Sequence, residues 1–262
     1  MNQDQVKKLL LSVEDAPLDF SVIFSGKKSK KVNGLYKVES REILLHNRNF
    51  SSDEENLLIY TAIHEYAHHL HACSKKGTLP QRAHNHEFWA VFHALLEKAE
   101  KKGVYRNIFS GSPELAKLTG EIREKYLAEN GALVKALGQA LIKANELCDA
   151  LGARFDDYID RILCIPRNAA KVAIKMFQYN LNPQVGPDNM KFLAGIRDGE
   201  KRLAAEHSLL SGKSPDSVRE ILKKPPDEDP RDQLERERAR LTRTIDNLKK
   251  RLNEVERELK EL

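Results

Sequence analysis

The sequence predicts an α+β fold in three zones. A small antiparallel sheet with three helices, one of them carrying HExxH, occupies residues 1–108, an all-helical stretch spans 112–223, and a coiled coil covers 231–262. Most strand-like sequence lies in the first zone. The second is rich in alanine and leucine with short breaks. The third is almost all charged residues and leucine, repeating every 3.5 positions. The run Lys224-Pro225-Pro226-Asp227-Glu228-Asp229-Pro230 is a stiff, charged linker between the last two.

Composition narrows the function classes. Hydrophobic residues make up 40% and charged residues 32%, so part of the chain must be solvated helix or coiled coil. No apolar run approaches the roughly 18 residues that cross a bilayer, which excludes a membrane-spanning protein. The N-terminal apolar run is too short for a secretory signal. Cys73, Cys148 and Cys164 form no CxxC pair, which excludes a disulfide framework and a four-cysteine zinc ribbon and fits a reducing, cytoplasmic setting. A net charge of +5 is compatible with nucleic acid without pointing to it.

From the N-terminus, a short helix is expected around Gln5–Ser12 and a strand at Phe20–Phe24. Asn33-Gly34 is a turn signal. Tyr36 and Val38 alternate, a polar break follows at Glu39–Glu42, and Ile43–Leu45 completes the sheet. Lys27, Lys28, Lys30 and Lys31 fall between strands, as a solvated hairpin tip or a phosphate contact.

Ser52 with Glu55 makes a capping box, so a helix starts near residue 53. Ile59, Ala62, Ile63, Tyr66, Ala67 and Leu70 form one apolar stripe on it. His64, Glu65 and His68 fall on the opposite side and spell HExxH. Histidines at i and i+4 project side by side and can bind one Zn2+ ion, one per chain, through their imidazoles. Glu65, not itself a ligand, is placed to act as a general base on water. A catalytic zinc needs a third protein ligand and an open fourth position. Downstream, Phe88, Val91, Phe92, Leu95 and Ala99 mark another helix. His84, one turn before Phe88, extends that stripe inward and is the first candidate, with Glu87 and His86 as alternatives. His69 and His71 are expected to be exposed or to stand behind the ligands. His46 and His93 have no assigned role, and Tyr105 is a weak candidate for stabilising an oxyanion.

HExxH, a short loop and then His84-Asn85-His86-Glu87-Phe88-Trp89 resemble the SprT-like zinc metallopeptidases and related small bacterial zincins. The resemblance covers about residues 15–105. It implies a minimal zincin fold and zinc-dependent proteolysis of a protein or peptide substrate. In the SprT branch it further implies processing of proteins attached to DNA. The cysteine zinc ribbon that follows the catalytic domain there is missing here, so substrate targeting falls to the other two zones.

In the middle zone, Glu114–Gly131 and Ala132–Leu151 read as two helices. Arg154–Leu163, the turn Cys164-Ile165-Pro166 and a helix opening with Arg167 and Asn168 follow the pattern of a helix-turn-helix. Phe155–Ile221 loosely resembles the DNA-binding helical domains of ParB-type proteins. That resemblance implies that Arg167, Asn168, Lys171 and Lys175 face the groove. The other reading is a helical bundle with solvated charges, and Asp156, Asp157 and Asp160 dilute the positive field.

In the third zone Leu234, Leu241, Leu248, Val255 and Leu262 take d positions, and Ile245, Leu252 and Leu259 take a positions, broken by Arg238. A homodimer, parallel or antiparallel, is expected. Two functions from different classes follow. One is a zinc endopeptidase brought to its substrate by the helical zone and the coil. The other is a DNA-binding dimeric regulator or scaffold with a structural or degenerate zinc site. Glu65 favours the first, because a purely structural site has no use for a base.

Overall fold

A computed structural model of the chain describes residues 1–51, 54–75 and 83–223, together with scattered helical residues between 235 and 257. Residues 1–222 form one compact unit and 223–262 a second. The charged linker lies outside the described residues. The fold of the first unit is α+β, mostly helical with one three-stranded sheet.

Asn2 and Gln5 exchange side-chain-to-backbone hydrogen bonds at 2.9 and 2.7 Å, a capping box that opens α1 (Gln3–Val13). The strands are β1 (Ser21–Phe24), β2 (Gly34–Lys37) and β3 (Glu42–Leu45), in the order β1-β3-β2. β2 and β3 are antiparallel, but β1 and β3 are parallel, so the sheet is mixed rather than antiparallel throughout. The reason is the segment 25–33. It is not a tight hairpin but a loop that skips one strand position. Asn47 and Asn49 anchor it: Gly26 N–H donates to Asn47 Oδ1 at 2.9 Å, and Ser29 N–H donates to Asn49 Oδ1 at 2.8 Å. The tight turn lies instead between β2 and β3, with Arg41 at φ 55°. Asn33-Gly34 therefore marks the start of β2, not a turn.

α2 (Glu55–Ser74) is entered through Ser51, whose N–H and hydroxyl both donate to Glu54 at 2.8 Å. Ser52, the expected cap, lies outside the described residues. The sequence predicts one buried face on this helix. In the fold both sides are covered, since β2 and β3 cross it and α3 (His86–Lys101) packs along it. Glu65, His68, His69 and His71 are therefore buried together with Ile63 and Tyr66. Of the two alternatives for His69 and His71, burial rules out exposure. The His69 Nε2–H donates to the Leu18 carbonyl at 3.0 Å, and its Nδ1 accepts from the Tyr36 hydroxyl at 3.0 Å. His71 faces Glu87 at 3.4 Å.

Beyond a short turn at Ile108–Gly111, α4 (Pro113–Glu121) runs through a wide turn, Ile122–Ala128, into α5 (Glu129–Ala150). The expected break near Gly131 does not occur. That glycine sits inside α5, where a Cβ would come within 2.7 Å of the Pro183 carbonyl. A short helix α6 (Phe155–Asp157) continues as a wide turn to Leu163. Cys164 then adopts a left-handed conformation, and α7 (Arg167–Gln178), α8 (Pro187–Ala194), α9 (Gly199–Leu210) and α10 (Pro215–Leu222) follow. α5 and α7 cross at Gly138, where an added Cβ would lie 2.0 Å from the Ala173 carbonyl oxygen. Gly138→Ala is expected to force these helices apart and destabilise the unit by roughly 3 kcal/mol, read as a lower denaturant midpoint. α10 returns to α3, where the Ser214 hydroxyl meets His93 Nδ1 at 2.8 Å. His93 is thus a joint between the N-terminal and helical parts.

Candidate metal centre

Three imidazoles meet beside α2. His64 Nε2 lies 3.0 Å from His84 Nε2, and His68 Nε2 lies 3.1 Å from the same atom. The three form a ligand-capable group. Ligands about 2.0–2.1 Å from a tetrahedral ion stand roughly 3.3–3.4 Å apart, so the spacing fits one metal ion with one vertex left over. The donor chemistry fits too, since three neutral imidazoles suit a borderline cation.

Two of the ligands come from the i, i+4 geometry of α2. The third depends on the entry to α3. The Asn85 side chain accepts the Phe88 N–H at 2.9 Å and caps that helix, so His84 stands just before it in a bend. His84 is exposed and not helical, which differs from the inward helical stripe expected of it. It reaches the other two because its ring stacks on Trp89 (centroids 5.7 Å apart) and meets Phe88 edge-on at 4.8 Å. Phe88 is fully buried and also touches His64 (5.0 Å) and His68 (4.2 Å, stacked). One aromatic ring thus supports all three imidazoles. Periodicity marks Phe88 only as core, and nothing in the sequence alone shows this supporting contact. The alternatives do not converge here: His86 and Glu87 group with Glu220 of α10, and Glu87 also pairs with Lys75 at 2.9 Å.

Burial, followed by the neighbouring imidazole charges, depresses the basicity of His64 to about 4 and that of His68 to about 3. Both rings are therefore neutral, with lone pairs available, well below neutral pH. In the unfolded chain each takes up a proton near 6.5. Unfolding consequently binds protons, and this contribution to stability is lost as pH falls from about 6.5 through about 4. The metal-free protein is expected to melt progressively lower across that window. A His64→Phe/His68→Phe variant would show a weaker slope in thermal denaturation.

Glu65 faces the same cleft, which has a volume of about 340 Å³ and is also lined by Asn33, Gly34, Leu35, Tyr60 and Thr61. Burial raises its carboxyl to about 7, while the backbone N–H of Tyr36 holds it partly down. That bond requires β2 to lie close against α2. A Cβ on Gly34 would sit 2.8 Å from Glu65 Cγ and 3.0 Å from Thr61 Cγ2. Gly34 is therefore a packing requirement of the carboxylate, which the turn reading missed. Gly34→Ala is expected to displace Glu65 and lower any activity that depends on it by roughly 10²-fold with metal content unchanged, as kinetics and metal analysis would show. Tyr105 is buried behind Tyr60, with ring centroids 6.1 Å apart, and does not line the cleft.

Far from this cleft in sequence, α7 presents Asn168, Lys171 and Lys175 to solvent. Arg167 is exposed too, but its guanidinium binds the Asp160 carboxylate at 2.8 Å and lies 3.8 Å from Asp156. Among the described residues no helix is long and apolar enough to cross a membrane. The chain matches no family model, no curated protein and no solved structure.

Proposed function

We propose that the chain is a zinc-dependent endopeptidase in which Glu65 is the general base. The observation that carries this reading is the convergence of the His64 and His68 nitrogens on His84 Nε2, at 3.0 and 3.1 Å, beside a buried carboxylate in one cleft. These three side chains would hold the zinc ion, which when bound polarises a scissile carbonyl and acidifies water. Glu65 takes the proton from the attacking water and delivers it to the departing amine as the C–N bond breaks. Burial raises this carboxyl above an ordinary glutamate and so makes it a better proton acceptor, while a bound cation beside it would lower it again.

Substrate placement follows from the sheet. β2 is an edge strand. His46 N–H donates to the Asn33 carbonyl at 2.9 Å, so in the alternating ladder Gly34 and Tyr36 direct their backbone groups to the outer edge, where the Tyr36 N–H meets Glu65 and Gly34 lines the cleft. An extended peptide adding to that edge would pass Glu65 and the imidazoles. The resemblance to SprT-like peptidases supports the same chemistry and suggests DNA-associated proteins as substrates. Incubating the zinc-loaded protein with an unfolded protein substrate tests the reading. Cleavage should vanish on chelation and return with zinc. No cleavage of any unfolded protein by a fully loaded sample would overturn it.

A DNA-binding reading of α7 rests on its exposed Asn168, Lys171 and Lys175 after a helix and a sharp turn. The bond between Arg167 and Asp160 weighs against a full four-residue contact. A binding titration against salt decides it, since phosphate contacts lose affinity steeply as salt rises.

A further inference from the structure

Among the described residues, the C-terminal unit leaves an apolar stripe exposed. Each described residue between 235 and 257 is helical. Leu241, Ile245, Leu248 and Leu252 alternate spacings of four and three, and stand 47, 50, 65 and 57% exposed. An isolated helix of this length gains little stability without packing, so the stripe calls for a partner of matching period. The partner with this period already available is a second copy, and the flanking charges choose its direction.

In the heptad register, Glu235, Thr242, Lys249 and Glu256 take e positions, and Glu237, Thr244, Arg251 and Glu258 take g positions. A parallel pair sets each g residue against the e residue five positions later in the other chain. That gives Arg251 with Glu256, attractive and occurring twice by symmetry, and Glu237–Thr242 and Thr244–Lys249, which are neutral. A full-length antiparallel pair, with Ile245 facing Leu248, sets e against e and g against g. Glu235 then meets Glu256, and Glu237 meets Glu258, each twice, with no opposite-charge pair in return. Arg238, the polar a position, has Glu237 of the neighbouring helix beside it in the parallel case. Its long side chain can also reach water at a two-stranded seam.

We propose that this segment forms a parallel, in-register, two-stranded coiled coil with a second copy of the chain. The pairing stands independently of the peptidase reading, since it uses none of the cleft residues.

Sedimentation equilibrium of the full chain tests it, with the wild type expected to be a dimer. Glu256→Lys replaces attraction to Arg251 with repulsion in the parallel arrangement, and is expected to weaken the dimer roughly tenfold. In the antiparallel arrangement the same change removes the clash with Glu235 and tightens the dimer. Arg238→Cys in a Cys164→Ser background is expected to give a disulfide-linked dimer on mild oxidation, because equal positions meet at equal height only in a parallel coil. A monomeric or higher-order wild type, an unchanged or tighter Glu256→Lys dimer, or no cross-link at position 238 would overturn the proposal.

Discussion

Glu65→Gln is expected to lower peptide cleavage by about 10²–10⁴-fold while the protein keeps its full complement of zinc. Glutamine has nearly the same shape and can still accept the Tyr36 N–H, so the packing against Gly34 survives. What it lacks is the ability to take a proton from water. A second consequence follows from burial. The Glu65 carboxyl titrates near 7 in the fold and near 4.5 when unfolded. Between those values the folded state holds a proton that the unfolded state has released. The stability associated with this group is therefore lost as pH rises from about 4.5 to about 7. Without metal, the glutamine variant should melt above the wild type at about pH 8 and close to it at about pH 4. With zinc bound as proposed, a nearby cation would favour the carboxylate, so the acid limb of a pH–rate profile should fall below about 7. A variant that cleaves like the wild type would end the assignment of Glu65 as base.

His84→Ala is expected to cut zinc affinity by about 10²–10³-fold and abolish cleavage with little effect on the fold. The reason is location. His84 is exposed, precedes the Asn85 cap, and makes its ring contacts at the surface of the Phe88–Trp89 pair. Removing it leaves the α3 cap bond and the buried Phe88 in place. Two imidazoles on one helix cannot enclose an ion by themselves, so the loss should appear as metal stoichiometry near zero after dialysis. An unchanged circular dichroism spectrum and melting curve would accompany it. Retention of one tightly held zinc per chain would mean that another group completes the centre.

Much of this site is legible in the sequence. The i, i+4 spacing of His64 and His68 fixes their shared helical face through local geometry alone, and Glu65 comes with it. The distance of His84 from Phe88 marks it as a candidate, but a bend before the Asn85 cap, not a continuing helical stripe, places it. The strand segments near Phe20, Tyr36 and Ile43 were recognisable from alternation. Their pairing was not, because whether β1 lies parallel or antiparallel to β3 depends on how loop 25–33 is held, and Asn47 and Asn49 hold it from outside the loop.

Local rules, acting over a few residues, are enough to determine the α+β class and to mark as candidates the three imidazoles and the carboxylate that meet in one cleft. The tertiary structure alone decided that α2 is enclosed on both sides, that Gly34 makes room for Glu65, and that one phenylalanine supports every candidate ligand. These facts depend on which distant segments meet. Burial, and with it the raised pKa of Glu65 and the lowered pKa values of His64 and His68, arises only when β2 and α3 close over the helix.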